Sequence, residues 1–465
     1  MIDAQGAGDQ PVLHAVYDAL KNAVTVASGE RSPESAATRI VVALSGGRDS
    51  ITLLDALART APEFGIELSA MHVHHGLSVN ADAWAAFCSA ECAKRGVPLI
   101  VHRARVERRG GKSHEAAARV ARYAALAAAD ADFVALAHHA DDQAETLLLQ
   151  LLRGAGPHGL AAMPRRRATR AGPALLRPLL ALPRSAIDAY ASARSLAWVD
   201  DESNANTEVK RNFIRHEIAP RLAHAFPGYP ATLARSAAHQ AETATLVDEL
   251  AAHDADGAIV MDPVAGAMLE RSALIALDKR ASHRARNVLR WFLRQHHLRP
   301  PSTARLAAMH EQLVRAAPDA RVRLVHSGAE IGIHRGRIVV HPPAIAAFAI
   351  PWRGEPRISL PHGTLEFASG LVAGFARAAL PTEGVTIRAR AGGERLRLAN
   401  DRPRQALKRV LHDAEMPLWL RDSLPLVFCG EALAVVPGIG VDVAFQAAKG
   451  APGYAVNWHP AALEA

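Results

Sequence analysis

The first two hundred residues switch repeatedly between two hydrophobic periods. An unbroken apolar run, Ile40-Val41-Val42-Ala43-Leu44, gives way to the helix-spaced pattern of Ile51-Thr52-Leu53-Leu54-Asp55-Ala56-Leu57. The first pattern suits a strand covered on both faces, and the second suits a helix. The same switch predicts further strands over residues 67–74, 97–101 and 133–137. It predicts helices over 11–29, 80–95, 113–129 and 141–153, with Asn80 and Ser113 as N-caps and Gly154-Ala155-Gly156-Pro157 as a stop. Strands alternating with helices predict a parallel sheet covered on both faces, which binds ligands beyond the carboxyl ends of its strands.

Farther along, helices are expected over 183–196 and from Arg211 to about 226. Residues 229–251 and 281–296 read as purely helical, and 321–341 alternates like hairpin strands. Residues 342–361, punctuated by proline and glycine, read as a linker. A strand over 385–390, a basic amphipathic helix over 405–414 and a hairpin over 424–436 follow. The expectation is an α/β parallel-sheet domain at 1–225, a mainly helical domain at 226–345 and a small α+β domain at 346–465.

Composition narrows the class. A chain of 465 residues, 49% hydrophobic, has ample material for a core. No apolar run is long enough to span a bilayer, and no basic segment leads into an apolar one at the start, so a cytoplasmic protein is expected. The 3 cysteines, Cys88, Cys92 and Cys429, are too few and too unevenly placed for a disulfide framework or a CxxC metal pair. The formal net charge of +8 is carried mostly by arginine. That suits a polyanionic partner, RNA first, although an arginine-rich genome would look the same.

Between the first strand and its helix stands Ser45-Gly46-Gly47-Arg48-Asp49-Ser50. Glycines allow a sharp turn and close approach to a ligand. Hydroxyls and free helix N–H groups add donors, so the stretch reads as a phosphate seat. It lacks the lysine of the commoner phosphate loop, which fits a departing pyrophosphate better than a transferred terminal phosphate. Ser-Gly-Gly alone could be an ordinary turn; the closing Asp49-Ser50 favours function. SGGRDS resembles the PP-loop signature of ATP pyrophosphatases, enzymes that adenylate a substrate and release pyrophosphate.

Two further stretches carry chemistry. In His138-His139-Ala140-Asp141-Asp142-Gln143-Ala144-Glu145-Thr146, the acids Asp142 and Glu145 share a helix face, where Mg²⁺ could bridge acids to a nucleotide. In Glu115–Tyr123, Arg119 and Arg122 share a face and could reach a phosphate or a carboxylate. A solvated acidic helix start and a surface salt bridge are the ordinary alternatives.

SGGRDS, HHGL, EAAARVARY, HHADDQAETLLLQLLRGAGPHGLAAM, RPLL, DESN and RNFIR occur in the order and approximate spacing of the tRNA(Ile)-lysidine synthetase family. RAGGERLR and LKRVLHDAEMPLWLRDSLPLV resemble its C-terminal region, although Leu418 stands where a second proline after Pro417 is expected. The resemblance covers nearly the whole chain. It implies a PP-loop fold of the adenine nucleotide alpha hydrolase type. It also implies a ligase that uses ATP and Mg²⁺ to adenylate C2 of the wobble cytidine of CAU-anticodon tRNA(Ile), AMP then being displaced by the side-chain amine of free L-lysine. By the same resemblance, Ser45, Gly46, Gly47, Arg48, Asp49, Ser50 and His138 would bind nucleotide. Asp49, Arg119, Asp142, Glu145 and Arg211 would be catalytic, with Asp49 and Asp142 at the metal. Asp142 or Glu145 is the expected base for lysine, with Arg119 on phosphate charge. Arg388, Arg390, Arg395, Arg397, Arg402, Arg404, Lys408 and Arg409 are expected to meet tRNA phosphates. The rivals are another PP-loop tRNA-modifying enzyme, such as a thiolase, and a non-catalytic RNA-binding protein. Oligomeric state is left open, a homodimer included.

Overall fold

The computed structural model describes residues 10–30, 37–76, 78–104, 114–169, 172–202, 206–262, 266–317, 320, 322–343, 346–360, 362–371, 374–379 and 384–460. The chain divides into two compact units, 1–246 and 247–465.

The first unit begins with α1 (Gln10–Glu30), β1 (Arg39–Ala43), α2 (Arg48–Thr60), β2 (Glu67–His74), α3 (Ala81–Lys94), β3 (Leu99–Arg103), α4 (His114–Ala127), β4 (Phe133–Ala135) and α5 (Ala140–Leu151). Next come α6 (Pro157–Leu160), β5 (Arg166–Arg167), β6 (Ala174–Leu176), α7 (Arg184–Ala193), α8 (Lys210–Phe213), α9 (Ala219–Ala225) and α10 (Tyr229–Asp254), which runs across the division. The sheet order is β3-β2-β1-β4-β6-β5, parallel except for the edge strand β5.

The apolar run of β1 is buried on both sides. Ile40 and Val42 point into one cluster with Leu20, Leu54 and Ile187 from α1, α2 and α7. Val41 points into the other, with Leu126 from α4 and Val134 and Leu175 from the neighbouring strands. Helices therefore cover both faces. The chain runs from β1 outward to β3, then returns to place β4 on the other side of β1. This reversal makes the β1/β4 boundary the topological switch point, where such sheets open a crevice.

Asn80 sits at the expected cap position, but its side chain makes no cap hydrogen bond; it donates to Glu202 at 2.6 Å. The third strand starts two residues later than expected, at Leu99. Ser113 lies outside the described residues. Between α8 and α9 the helix widens to a π-turn, Ile214–Ile218, with Ala219 N–H bonded back to Ile214 O. Pro220 follows directly; it has no N–H to give, and its ring would crowd the preceding turn of an α-helix.

The second unit holds strands that the sequence reading left out. Between the helices expected over 229–251 and 281–296, β7 (Ile259–Asp262) and β8 (Gly266–Glu270) form a hairpin before α11 (Arg271–Gln295). After α12 (Thr303–Arg315) come β9 (Arg323–His326), β10 (Ala329–His334) and β11 (Arg337–His341). The hairpin joins them in an antiparallel sheet of order β7-β8-β11-β10-β9. Leu289, Phe292 and Leu293 of α11 pack on Leu306 and Met309 of α12 and on Ile331 and Ile338 of the sheet.

The expected linker contains β12 (Ala349–Trp352) and β13 (Arg357–Leu360). The rest is β14 (Gly363–Gly370), β15 (Phe375–Ala376), β16 (Val385–Arg388), β17 (Arg395–Leu396), β18 (Gln405–Ala406), α13 (Leu407–Asp413), α14 (Leu418–Ser423), β19 (Leu426–Cys429), β20 (Ala432–Val436), β21 (Gly440–Val441) and β22 (Gly453–Pro460). They build sheets of order β12-β16-β19-β20-β21 and β13-β14-β22-β15. Proline tolerated in β12 is explained by its place at a sheet edge. Among the described residues no helix is long and apolar enough to cross a membrane.

Candidate active site

The Ser-Gly-Gly loop leaves β1 at the switch point. Gly46 has φ +86°, and a Cβ there would lie 2.9 Å from Val199 Cγ2 and 3.2 Å from Cys88 Sγ. Only glycine satisfies both the dihedral and the space. Its carbonyl accepts from Val199 N at 3.0 Å, which ties the loop to the segment after α7. Ser50 Oγ donates to Gly47 O at 2.8 Å and lies 3.1 Å from Ser45 Oγ, so the two hydroxyls brace the turn. Gly47 is the N-cap residue of α2 and offers no side-chain cap, which leaves the first N–H groups of the helix open to an anion. Arg48 turns from the loop: its Nη1 pairs with Asp188 on α7 at 2.7 Å and its guanidinium lies over Trp198.

Across the crevice, the segment that follows β4 carries His138-His139. His139 caps α5, and its backbone N–H donates to Asp142 Oδ2 at 3.1 Å. The buried imidazole is ringed by acids, with Nε2 3.6 Å from Asp49 Oδ2 and 3.4 Å from Asp142 Oδ2, and Nδ1 3.5 Å from Asp141 Oδ2. Burial by itself lowers the His139 pKa; the carboxylates of Asp141, Asp49 and Asp142 outweigh it and raise the pKa to about 10, holding the ring as a cation. His138 is the reverse case. Burial, reinforced by Arg177, Arg211 and Arg122 against the pull of Asp142, lowers its pKa to about 3 and keeps it neutral.

The acids of α5 meet two arginines from the far end of the unit. Arg211 Nε donates to Glu145 Oε2 at 2.7 Å and its Nη2 to Asp142 Oδ1 at 2.9 Å. Arg215 Nε donates to Glu145 Oε1 at 2.6 Å and its Nη2 to Asp142 Oδ1 at 3.0 Å. Burial opposes ionisation of Asp142, but His139, Arg211, His138 and Arg215 lower its pKa to about 2. Glu145 has both oxygens engaged. Asp142 has Oδ1 engaged by both arginines, and Oδ2 faces its cap and His139.

The structure thus brings Asp49, His138, Asp142, Glu145 and Arg211 together at one sheet edge. Arg119 is exposed on α4, with its guanidinium 5.1 Å from the Tyr123 ring centroid and near enough to Arg177 to oppose its charge. His138 is flanked by Arg122 and Arg177 instead. Arg122 was a candidate for phosphate or carboxylate from the sequence; Arg215, His139 and Arg177 were not foreseen as site residues. Arg215 had a readable signal, since it stands four residues after Arg211 and a helix puts both on one face. In the second unit, Arg388, Arg390, Arg404 and Arg409 each pair with an acid, namely Glu431, Glu394, Asp442 and Asp413.

Several buried polar atoms here make no hydrogen bond: Asp49 Oδ1, which lies 3.7 Å from Arg48 Nε, Thr52 Oγ1, His75 Nδ1, His138 Nδ1 and Arg177 Nε. Polar atoms in that state are expensive in a folded protein unless a ligand completes them. A carboxylate oxygen that accepts no hydrogen bond, beside a phosphate seat, is a hard donor of the kind Mg²⁺ takes.

The comparisons with known proteins follow this geometry. Residues 18–222 match the model of a PP-loop domain, 273–339 that of the TilS substrate binding domain, and 385–458 that of the TilS substrate C-terminal domain. The tRNA(Ile)-lysidine synthase of Nitrosomonas europaea is 43% identical, over 91% of this chain and 93% of that protein. This chain belongs to the tRNA(Ile)-lysidine synthase family. The Aromatoleum aromaticum member is 40% identical over 90% of this chain and 97% of its own, and the Burkholderia pseudomallei member is 39% identical over 96% of each. The match runs through both units, so the synthase resemblance is not limited to a shared ATP-binding domain. The PP-loop match assigns ATP use to the first unit, where the Ser-Gly-Gly loop stands.

Proposed function

We propose that the protein ligates free L-lysine to C2 of the wobble cytidine of CAU-anticodon tRNA(Ile), through an adenylated base, with release of pyrophosphate and then AMP. One observation carries the reading. The Ser-Gly-Gly seat and the Asp142–Glu145–Arg211–Arg215 cluster converge at a single switch point, in a chain 43% identical to a tRNA(Ile)-lysidine synthase.

Ser45, Gly46, Gly47 and Ser50, with the open N-terminus of α2, receive the phosphates that depart. Asp49, whose Oδ1 accepts no hydrogen bond and lies 3.7 Å from Arg48 Nε, would hold Mg²⁺, and Asp142 lies opposite across His139. When bound, the ion would neutralise charge on the leaving pyrophosphate. The His139 cation adds fixed positive charge at the same place, and neutral His138 can exchange hydrogen bonds with nucleotide or base without adding charge. Arg48 acts as a pin between the loop and α7.

Lysine must lose a proton. Doing so beforehand at pH 7 costs roughly 4–5 kcal/mol, from a reference pKa near 10.4. That proton leaves before attack, because an ammonium has no lone pair to give; the nitrogen then bonded to C2 carries a second, far more acidic proton, which a carboxylate takes as AMP leaves. Glu145 is the positioning residue that holds both guanidiniums, and Asp142 Oδ2 is the proton acceptor. Arg211 and Arg215 keep that carboxylate ionised and face the α-phosphate as charge develops. Arg119 and the basic residues of the second unit guide RNA. Residues 1–225 are assigned to catalysis, and 226–345 and 346–465 to tRNA.

The test is AMP release with ATP, lysine and CAU-anticodon tRNA, each omitted in turn. All three are expected to be required. AMP release without lysine, or lysine incorporation without tRNA, would overturn the reading.

A further inference from the structure

One buried side chain near the site has no part in the chemistry above. Arg177 follows β6 at the same sheet edge as the Ser-Gly-Gly loop and is 5% exposed. Its Nη1 donates to Pro164 O at 2.7 Å, and its Nε has no partner. Among the described residues no carboxylate pairs with it. Burial above all lowers its pKa; Arg167 and Arg119 add to the effect, and the Tyr123 hydroxyl opposes it. A buried guanidinium without an acid is unfavourable in the free protein and becomes favourable when an anion arrives.

The charged groups that act on it are basic. The guanidiniums of Arg119 and Arg122 lie 5.1 and 5.8 Å from the Tyr123 ring centroid. Arg177 N donates to Arg165 O at 2.8 Å, which registers the exposed strand β5 against β6. The side chains of Arg165 and Arg167 are exposed on that edge. A charged edge strand can simply prevent pairing with another sheet. That role does not account for a buried arginine that lacks an acid behind it.

We propose that Arg165, Arg167, Arg177 and Arg119 form a seat for the ribose-phosphate backbone beside the base that reacts. The proposal rests on the reading of the site as one that modifies RNA. A running RNA backbone fits better than the phosphates of ATP. Those have their own seat after β1, two strands from β6, or roughly 10 Å at ordinary strand spacing. A row of guanidiniums leading from the edge strand inward to His138 matches successive phosphates on either side of a base brought to the crevice.

The test uses the full chain and an anticodon stem-loop RNA bearing CAU, with affinity measured by fluorescence anisotropy over a range of KCl concentrations. The double variant Arg165→Ala with Arg167→Ala changes only exposed side chains. It is expected to bind RNA more weakly, with a salt slope shallower by about 1.4 for two lost contacts at ~0.7 each. Arg177→Lys keeps the charge and loses the fork; it is expected to weaken RNA binding with little change of slope. ATP affinity, measured by calorimetry on the same variants, is expected to stay at the wild-type level. Wild-type RNA affinity and slope in the double variant would overturn the proposal, as would a loss confined to ATP. If the unaltered chain fails to bind this RNA, the RNA-modifying reading itself falls.

Discussion

Arg215 and Glu145, far apart in sequence, meet through two bonds: Nε to Oε1 at 2.6 Å and Nη2 to Oε2 at 2.9 Å. The pair closes the far side of the crevice and fixes Asp142 between the same two arginines. It depends on the π-turn before Pro220, which carries Arg215 in the turn after Arg211.

Glu145→Gln should therefore affect both folding and catalysis. It leaves two guanidiniums short of a counter-charge. Breaking a fully buried pair costs about 3–5 kcal/mol. The arginines here are about a quarter exposed, so a loss of roughly 2 kcal/mol is expected in urea unfolding. A double-mutant cycle with Arg215→Met should show coupling above about 1 kcal/mol; additive effects would remove the pair from its positioning role.

Gly46→Ala tests the loop. The substitution meets Val199 and Cys88 and forces a left-handed φ on a residue with a Cβ. A stability loss of about 1–3 kcal/mol and loss of ATP affinity by calorimetry are expected together. Retained ATP binding would mean that the loop is not the phosphate seat.

Asp49→Asn removes one of the three carboxylates around the His139 cation and leaves Asp141 and Asp142 in place. Its melting temperature should fall only modestly while ATP–pyrophosphate exchange is abolished. Chelation of divalent cations should abolish exchange in the unaltered protein. Full exchange in the variant would remove Asp49 from the metal.

The thiols separate this enzyme from a sulfur-transfer rival. Burial raises the pKa of Cys88 to about 12 and of Cys92 and Cys429 to about 11. At pH 8 the native protein should give no reaction with Ellman's reagent, and all 3 cysteines should react in denaturant. A fast-reacting native thiol would reopen the thiolase alternative.

Local patterns were enough for the sequence to determine β1, the Ser-Gly-Gly turn and the acids of α5. In each case the signal lies within a few residues: a doubly buried strand, a dihedral only glycine reaches, a helix face. The hairpin 259–270 and the strands β12 and β13 escaped that reading because short strands carry few positions, and their pairing partners lie far along the chain. The partner of each charge was equally out of reach. Nothing near Arg48 points to Asp188, and nothing near Asp142 points to Arg211, Arg215 and the cation of His139. Charge pairing depends on distance through space. Only the folded sheet, by reversing direction between β1 and β4, decided which acids stand ready for a ligand and which are already held.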